Sequence, residues 1–165
     1  MDIAVIGTGF IGRTLGRALA EADHHVTFGS RHPDDDDIAN DFPATVGSVG
    51  QALEAAEVVI VAVPGSAVAS LAAEQERALA TKLVIDATNR TDRPVANSRD
   101  VLPKGVRYAR AFNTLGGENM ATPTFDEGVA DMFFSSEEAV IAAAVSSVIA
   151  GRADCPPAVC VGSDV

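Results

Sequence analysis

Residues 2–12 read DIAVIGTGFIG, an apolar run closed by glycines at positions 7, 9 and 12. "DIAVI" has the length and content of a buried strand that ends at Gly7. The period then changes, because Ile11, Leu15, Ala18, Leu19 and Ala22 fall on one face of a helix. A G-x-G-x-x-G pattern alone is weak, but between a strand and an amphipathic helix it has the context that dinucleotide binding requires. Gly7 permits the tight turn, Gly9 lets backbone approach a pyrophosphate, and Gly12 allows close packing of helix on strand. The helix start offers N–H groups and a positive dipole end to phosphates. The alternative is a glycine turn that is purely structural.

The rest of the chain repeats the alternation. "HVTF" is a second strand and "ATV", Ala44–Val46, a third, followed by a helix through "SVGQALEAA" with Ser48 as its N-cap. "VVIVAV" is an uninterrupted apolar strand ended by Pro64, the kind found at the centre of a parallel sheet covered on both faces. Helical character returns over residues 67–80, "KLVID" supplies a fifth strand, and "VRYARAF" and "DMFFS" are the sixth and seventh. An alanine-rich helix is expected over residues 137–150, and "AVCV" suggests one more strand. Such alternation implies right-handed crossovers, hence an α/β Rossmann-type, doubly wound, mainly parallel sheet of six to eight strands. Residues 1–165 are read as a single NAD(P)-binding domain.

Composition narrows the function classes. A net charge of −11 opposes binding to nucleic acid or to an anionic membrane surface. The hydrophobic share is 47%, yet no uncharged run reaches the roughly 18–20 residues that span a bilayer. The N-terminus lacks the basic region and cleavage site of a signal peptide, so a cytoplasmic protein is expected. Cys155 and Cys160, separated by a segment that contains Pro156 and Pro157, are read as structural thiols, and no metal site is assigned.

The stretch VTFGSRHPDDDD, Val26 to Asp37, names the nucleotide. NAD-binding folds place a carboxylate at the end of the second strand to bond the ribose 2′-OH, where it would repel a 2′-phosphate. Here Gly29 removes it. Arg31 offers a planar fork for a phosphate and Ser30 a further hydrogen bond, so NADP(H) is the expected cofactor. The alternative for Arg31 is a surface arginine facing the aspartates at 34–37, which are themselves read as a solvated loop or helix start. His32 is either a third phosphate contact or a solvated loop histidine.

Together "IGTGFIGRTLGRALAEADHHVTFGSR", "VIVAVP", "VIDATN" and "ARAFNTL" resemble the NADP-dependent oxidoreductases that work with the deazaflavin coenzyme F-420, over about residues 1–135. The resemblance implies that Thr8, Gly9, Phe10 and Ile11 line the pyrophosphate and that Ser30 and Arg31 hold the 2′-phosphate. It implies further that Val63, Pro64, Ala87 and the segment Ala111, Phe112, Asn113 border the nicotinamide. Hydride would then pass directly between nicotinamide and the stacked deazaflavin or a flavin-like acceptor. A homodimer is usual in such a family. This chain has Arg90 where relatives commonly carry proline, and relatives usually continue into a further helical segment beyond "AVCV".

No side-chain acid or base is assigned. His24 and His25 fall at the sheet end opposite the nucleotide, and neither Lys82 nor Lys104 ends a strand. Ring-to-ring hydride transfer needs chiefly proximity and orientation. Asn89, Asn113 and Thr114 are polar groups suited to orienting a ring or ribose, and Asn113 could equally cap a strand. Asp86 is read as capping its loop as readily as doing chemistry. A non-catalytic NADP-binding redox sensor or subunit is the other reading, and reduction of a metal or small carbonyl compound stays open.

Overall fold

The computed structural model describes residues 1–35, 37–89, 98–114, 116–121, 124–126, 128–129, 131–136 and 159–160. The expected helix over 137–150 and the proposed structural role of Cys155 lie outside them.

In chain order the elements are β1 (Asp2–Ile6), α1 (Phe10–Glu21), β2 (His25–Ser30), a 3-10 turn (Pro33–Asp35), α2 (Ile38–Asp41), β3 (Thr45–Ser48), α3 (Val49–Ala55) and β4 (Val58–Val61). A 3-10 turn (Gly65–Ala67), α4 (Val68–Glu74), α5 (Glu76–Leu79), β5 (Leu83–Asp86), a 3-10 turn (Ser98–Val101) and β6 (Arg107–Ala111) follow. Last come α6 (Gly117–Ala121), the hairpin strands β7 (Thr124–Phe125) and β8 (Gly128–Val129), then β9 (Phe133–Ser136) and β10 (Val159–Cys160).

The main sheet has eight strands in the order β10-β9-β6-β5-β4-β1-β2-β3. Strands β1 to β6 pair in parallel, and β9 joins β6 antiparallel with β10 parallel beside it. This is the expected Rossmann-type, doubly wound sheet, closed on one side by an antiparallel edge.

Period-two alternation divides the core between the two faces of the sheet. Ile3 and Val5 enter one apolar cluster with Leu15 and Leu19 of α1 and Val26 and Phe28 of β2. Ala4 and Ile6 enter the other, with Ala52 and Leu53 of α3 and Leu71 of α4. A Cβ on Gly16 would fall 2.2 Å from the Phe28 ring, so α1 sits on that aromatic because position 16 has no side chain. Ser48 caps α3 as expected: its hydroxyl accepts from Gln51 N–H while Gln51 Oε1 accepts from Ser48 N–H, which closes a capping box.

Element boundaries shift: β2 runs on to Ser30, β4 stops at Val61 and β9 begins at Phe133. The third strand runs Thr45–Ser48, reaching the cap residue itself. The helix expected over 67–80 is three pieces, bent at Gln75, where ψ is 23°. Gln75 N–H still donates to Leu71 O and Gln75 O still accepts from Leu79 N–H, so the turn opens without losing its ladder.

Candidate functional site

Strand order reverses between β1 and β4, and the crevice beyond their C-terminal ends is where a doubly wound sheet places its ligand. A cavity of about 550 Å³ lies there. Seven residues assigned from sequence line it: Gly7, Thr8, Gly9, Ser30, Arg31, Val63 and Pro64. His32 also lines it, and its backbone N–H donates to Ser30 Oγ at 3.1 Å, which leaves the Ser30 hydroxyl proton available to a ligand.

The three glycines behave differently. Gly7 has φ +117°, and a Cβ there would meet Ala62 O at 2.5 Å, so only glycine makes this turn from β1 to α1 beside the end of β4. A Cβ on Gly12 would lie 2.0 Å from Gly7 O, the tight helix-on-strand approach expected of that position. Gly9 has ordinary dihedrals, φ −76° and ψ −175°, and a Cβ on it would meet nothing within 4 Å. The fold therefore does not need glycine at position 9. The open space fits a ligand drawn against the backbone. Gly9 is also the N-cap of α1, and no side-chain cap competes for its first-turn N–H groups, the arrangement that suits an anionic ligand.

At Gly29 a Cβ would meet Ile6 Cδ1 at 2.6 Å and Val49 Cα at 3.2 Å. The position thus lacks a carboxylate and also has no room for one, because α3 presses on it. Among the described residues Arg31 makes no ion pair, and its exposed side chain reaches the cavity.

Phe10, Ile11 and Gly12 do not line the cavity. Gly12 is packed away, and Phe10, 60% exposed, sets its ring against Gly117 beside Ile11. Ala87, Ala111, Phe112 and Asn113 gather instead at the ends of β5 and β6. Ala87, Ala111 and Phe112 are buried in the core, and Phe112 holds φ +66°, a left-handed conformation rare for an aromatic residue. Hydrogen bonds clasp the two strand ends. Asn113 Nδ2 donates to Thr88 O at 2.7 Å, Arg110 Nη2 donates to the same oxygen at 3.1 Å, and Asn89 Nδ2 donates to Asn113 O at 3.2 Å. Thr114 is exposed and His25 begins β2 at the far end of the sheet.

Sequence reasoning missed the buried cluster beneath this clasp. Asp86, 1% exposed, accepts from Thr88 N–H at 2.8 Å, from Tyr108 Oη at 2.9 Å and from Arg110 Nη1 at 2.9 Å. Asp86 does cap its loop, but it also anchors an ion pair. Burial, reinforced by the Asp86 charge, pushes the Tyr108 phenol well above its ordinary range, so it stays protonated and donates. The signal was present in the letters: Asp86 closes an otherwise apolar strand, and a buried carboxylate calls for a cation such as an arginine of the next strand. Also missed were Val49, Ala67, Leu71 and the polar Ser66, Ser70 and Glu74, which form the far wall of the cavity from α3, α4 and the turn before it.

A family model described as "NADP oxidoreductase coenzyme F420-dependent" matches residues 2–90, more than half of the chain. The chain belongs to that family. By class it is therefore an NADP-dependent oxidoreductase. Among curated proteins none matches this family member in sequence. Solved structures match it in fold. A candidate F420-dependent NADP reductase from Arthrobacter sp. FB24 superposes with TM-score 0.84 at 24% identity, covering 99% of this chain and 85% of that one. A hypothetical protein from Sinorhizobium meliloti gives 0.83 at 24%, with the same coverage. An imine reductase from Streptomyces aurantiacus gives 0.75 at 18%, covering 99% of this chain and 56% of the other. At these identities the structures speak for the fold alone. No helix among the described residues is long and apolar enough to cross a membrane.

Proposed function

We propose that the protein binds NADP(H) in the β1–β4 crevice and exchanges hydride with a deazaflavin or flavin-like acceptor. The observation that carries the cofactor half is the cavity itself, where the side-chain-free space at Gly9 and the fork of Arg31 occur together. Gly7, Thr8 and Gly9 with the α1 start would hold the pyrophosphate. Ser30 would donate to the 2′-phosphate and Arg31 would pair with it, Gly29 leaving no carboxylate to oppose them. Val63 and Pro64, with the clasped ends of β5 and β6, would flank the nicotinamide.

The bound nicotinamide supplies the hydride chemistry. The chain's own residues bind, orient and shield. The Asn89–Asn113–Thr88 clasp fixes the two strand ends, and the buried Asp86–Arg110 pair holds that clasp from below. No proton-shuttling side chain is assigned, as suits a transfer governed by proximity and orientation. The family match supports the acceptor half of the reading.

The test is anaerobic mixing of the purified protein with NADPH and oxidised deazaflavin coenzyme, following loss of deazaflavin absorbance beside free-flavin and no-acceptor controls. Turnover is expected with the deazaflavin. NADPH binding without turnover on any acceptor would replace this reading with that of a redox sensor or subunit.

A further inference from the structure

The proposed 2′-phosphate subsite faces an electrostatic conflict. Arg31 is followed closely by Asp34, Asp35 and Asp37, in a chain of net charge −11. Carboxylates so near either compete for Arg31 or repel the phosphate it would hold.

Arg13, in the first turn of α1, engages part of that charge. Its Nε donates to Thr8 O at 3.0 Å, its Nη2 lies 2.6 Å from Asp37 Oδ1, and its Nη1 lies 3.7 Å from Asp41 Oδ2. One side chain thus joins the glycine turn to the segment that follows Arg31. Neither Asp37 nor Asp41 lines the cavity, and Arg13 does not line it either. The Arg13 guanidinium also holds the Asp37 carboxyl below its ordinary range, through their hydrogen bond and opposite charges.

We propose that Arg13 is a specificity-determining positioning residue for NADP(H): by pairing with Asp37 and Asp41 while holding the Thr8 carbonyl, it fixes the loop carrying Arg31 and keeps those carboxylates away from the 2′-phosphate. This rests on the NADP(H) reading above. It differs from a simple brace for the glycine turn, which would serve NADPH and NADH equally. Lysine would keep the charge but lose the fork that reaches three oxygens together.

The experiment measures dissociation constants for NADPH and NADH on the wild-type chain, Arg13→Gln, Arg13→Lys and the double variant Arg13→Gln/Asp37→Asn. Arg13→Gln is expected to weaken NADPH by about fivefold with NADH within about twofold, the scale of an exposed but networked ion pair. Arg13→Lys falls between the two, and the double variant recovers part of the loss because the released carboxylate is gone. NADH binding in the same samples shows that the turn is intact. Equal losses for both nucleotides, or no recovery in the double variant, would overturn the role given to Arg13. A wild-type chain without preference for NADPH would instead overturn the NADP(H) reading itself, and this proposal with it.

Discussion

Asp86 and Arg110 stand opposite each other on neighbouring parallel strands, register partners with Oδ2 and Nη1 2.9 Å apart and side chains 1% and 12% exposed. The pair is nearly enclosed by the core and is satisfied on each side. Asp86 also holds Tyr108 and the Thr88 N–H, while Arg110 also reaches Thr88 O. Removing either partner therefore strands a buried charge. Arg110→Ala or Asp86→Ala is expected to cost about 3–5 kcal/mol in denaturant unfolding. A loss under about 1 kcal/mol, the value typical of exposed pairs, would show that water reaches the cluster.

Tyr108 is the one tyrosine of the chain, and there is no tryptophan. Its phenol is raised by burial and by Asp86, so the neutral form is the folded form. The contribution is fully present below the unfolded tyrosine pKa, near 10, and is lost as pH rises from there towards the raised folded value. Phenolate absorbance should thus appear together with alkaline unfolding. Reversible ionisation near pH 10, with the fold retained, would contradict this placement.

The glycines at 9 and 12 separate binding from folding. Gly12→Ala drives a Cβ into the Gly7 carbonyl, which is backbone and cannot swing aside, so a loss of about 1–3 kcal/mol or more is expected. At Gly9 there is room, and the loss of a good N-cap roughly balances the gain from a stiffer unfolded chain, leaving stability within about 1 kcal/mol. Gly9→Ala should nevertheless weaken NADPH, because the added methyl stands where the backbone would meet the pyrophosphate. Melting temperature and nucleotide titration on the two variants check both halves. Undiminished NADPH binding by Gly9→Ala would place the nucleotide elsewhere.

The clasp between strand ends makes a kinetic prediction. Asn113→Ala removes one of the two side-chain donors to Thr88 O beside a left-handed Phe112. Its effect should fall on kcat with the KM for NADPH little changed, because the cavity lined by Ser30 and Arg31 is untouched. A change confined to KM would move Asn113 into the binding of the nucleotide's other end.

The fold was readable where one residue type can meet one demand. The apolar run Ile3–Ile6, the change of period from Ile11 onward and the uninterrupted run at Val58–Val61 each admit few alternatives, and the sheet follows from them. Gly7 and Gly12 were readable for the same reason. What escaped were relations between distant letters. Nothing near Arg13 says that Asp37 and Asp41 will close on it, since that contact depends on how the loop after β2 returns. Much of the far wall of the cavity comes from α4 and the turn before it, whose serines and glutamate look like any solvated face until the strand order brings them to the crevice. Gly29 was read for the charge it lacks, while the structure adds the pressing of α3 on it.

The central claim is that Ser30 and Arg31 hold a 2′-phosphate, and the most direct measurement is a paired titration of NADPH and NADH against the wild-type chain and Arg31→Ala. Loss of a charge-assisted hydrogen bond predicts that the variant binds NADPH at least about tenfold more weakly while NADH is little changed. Equal losses for the two nucleotides, or none for either, would contradict it.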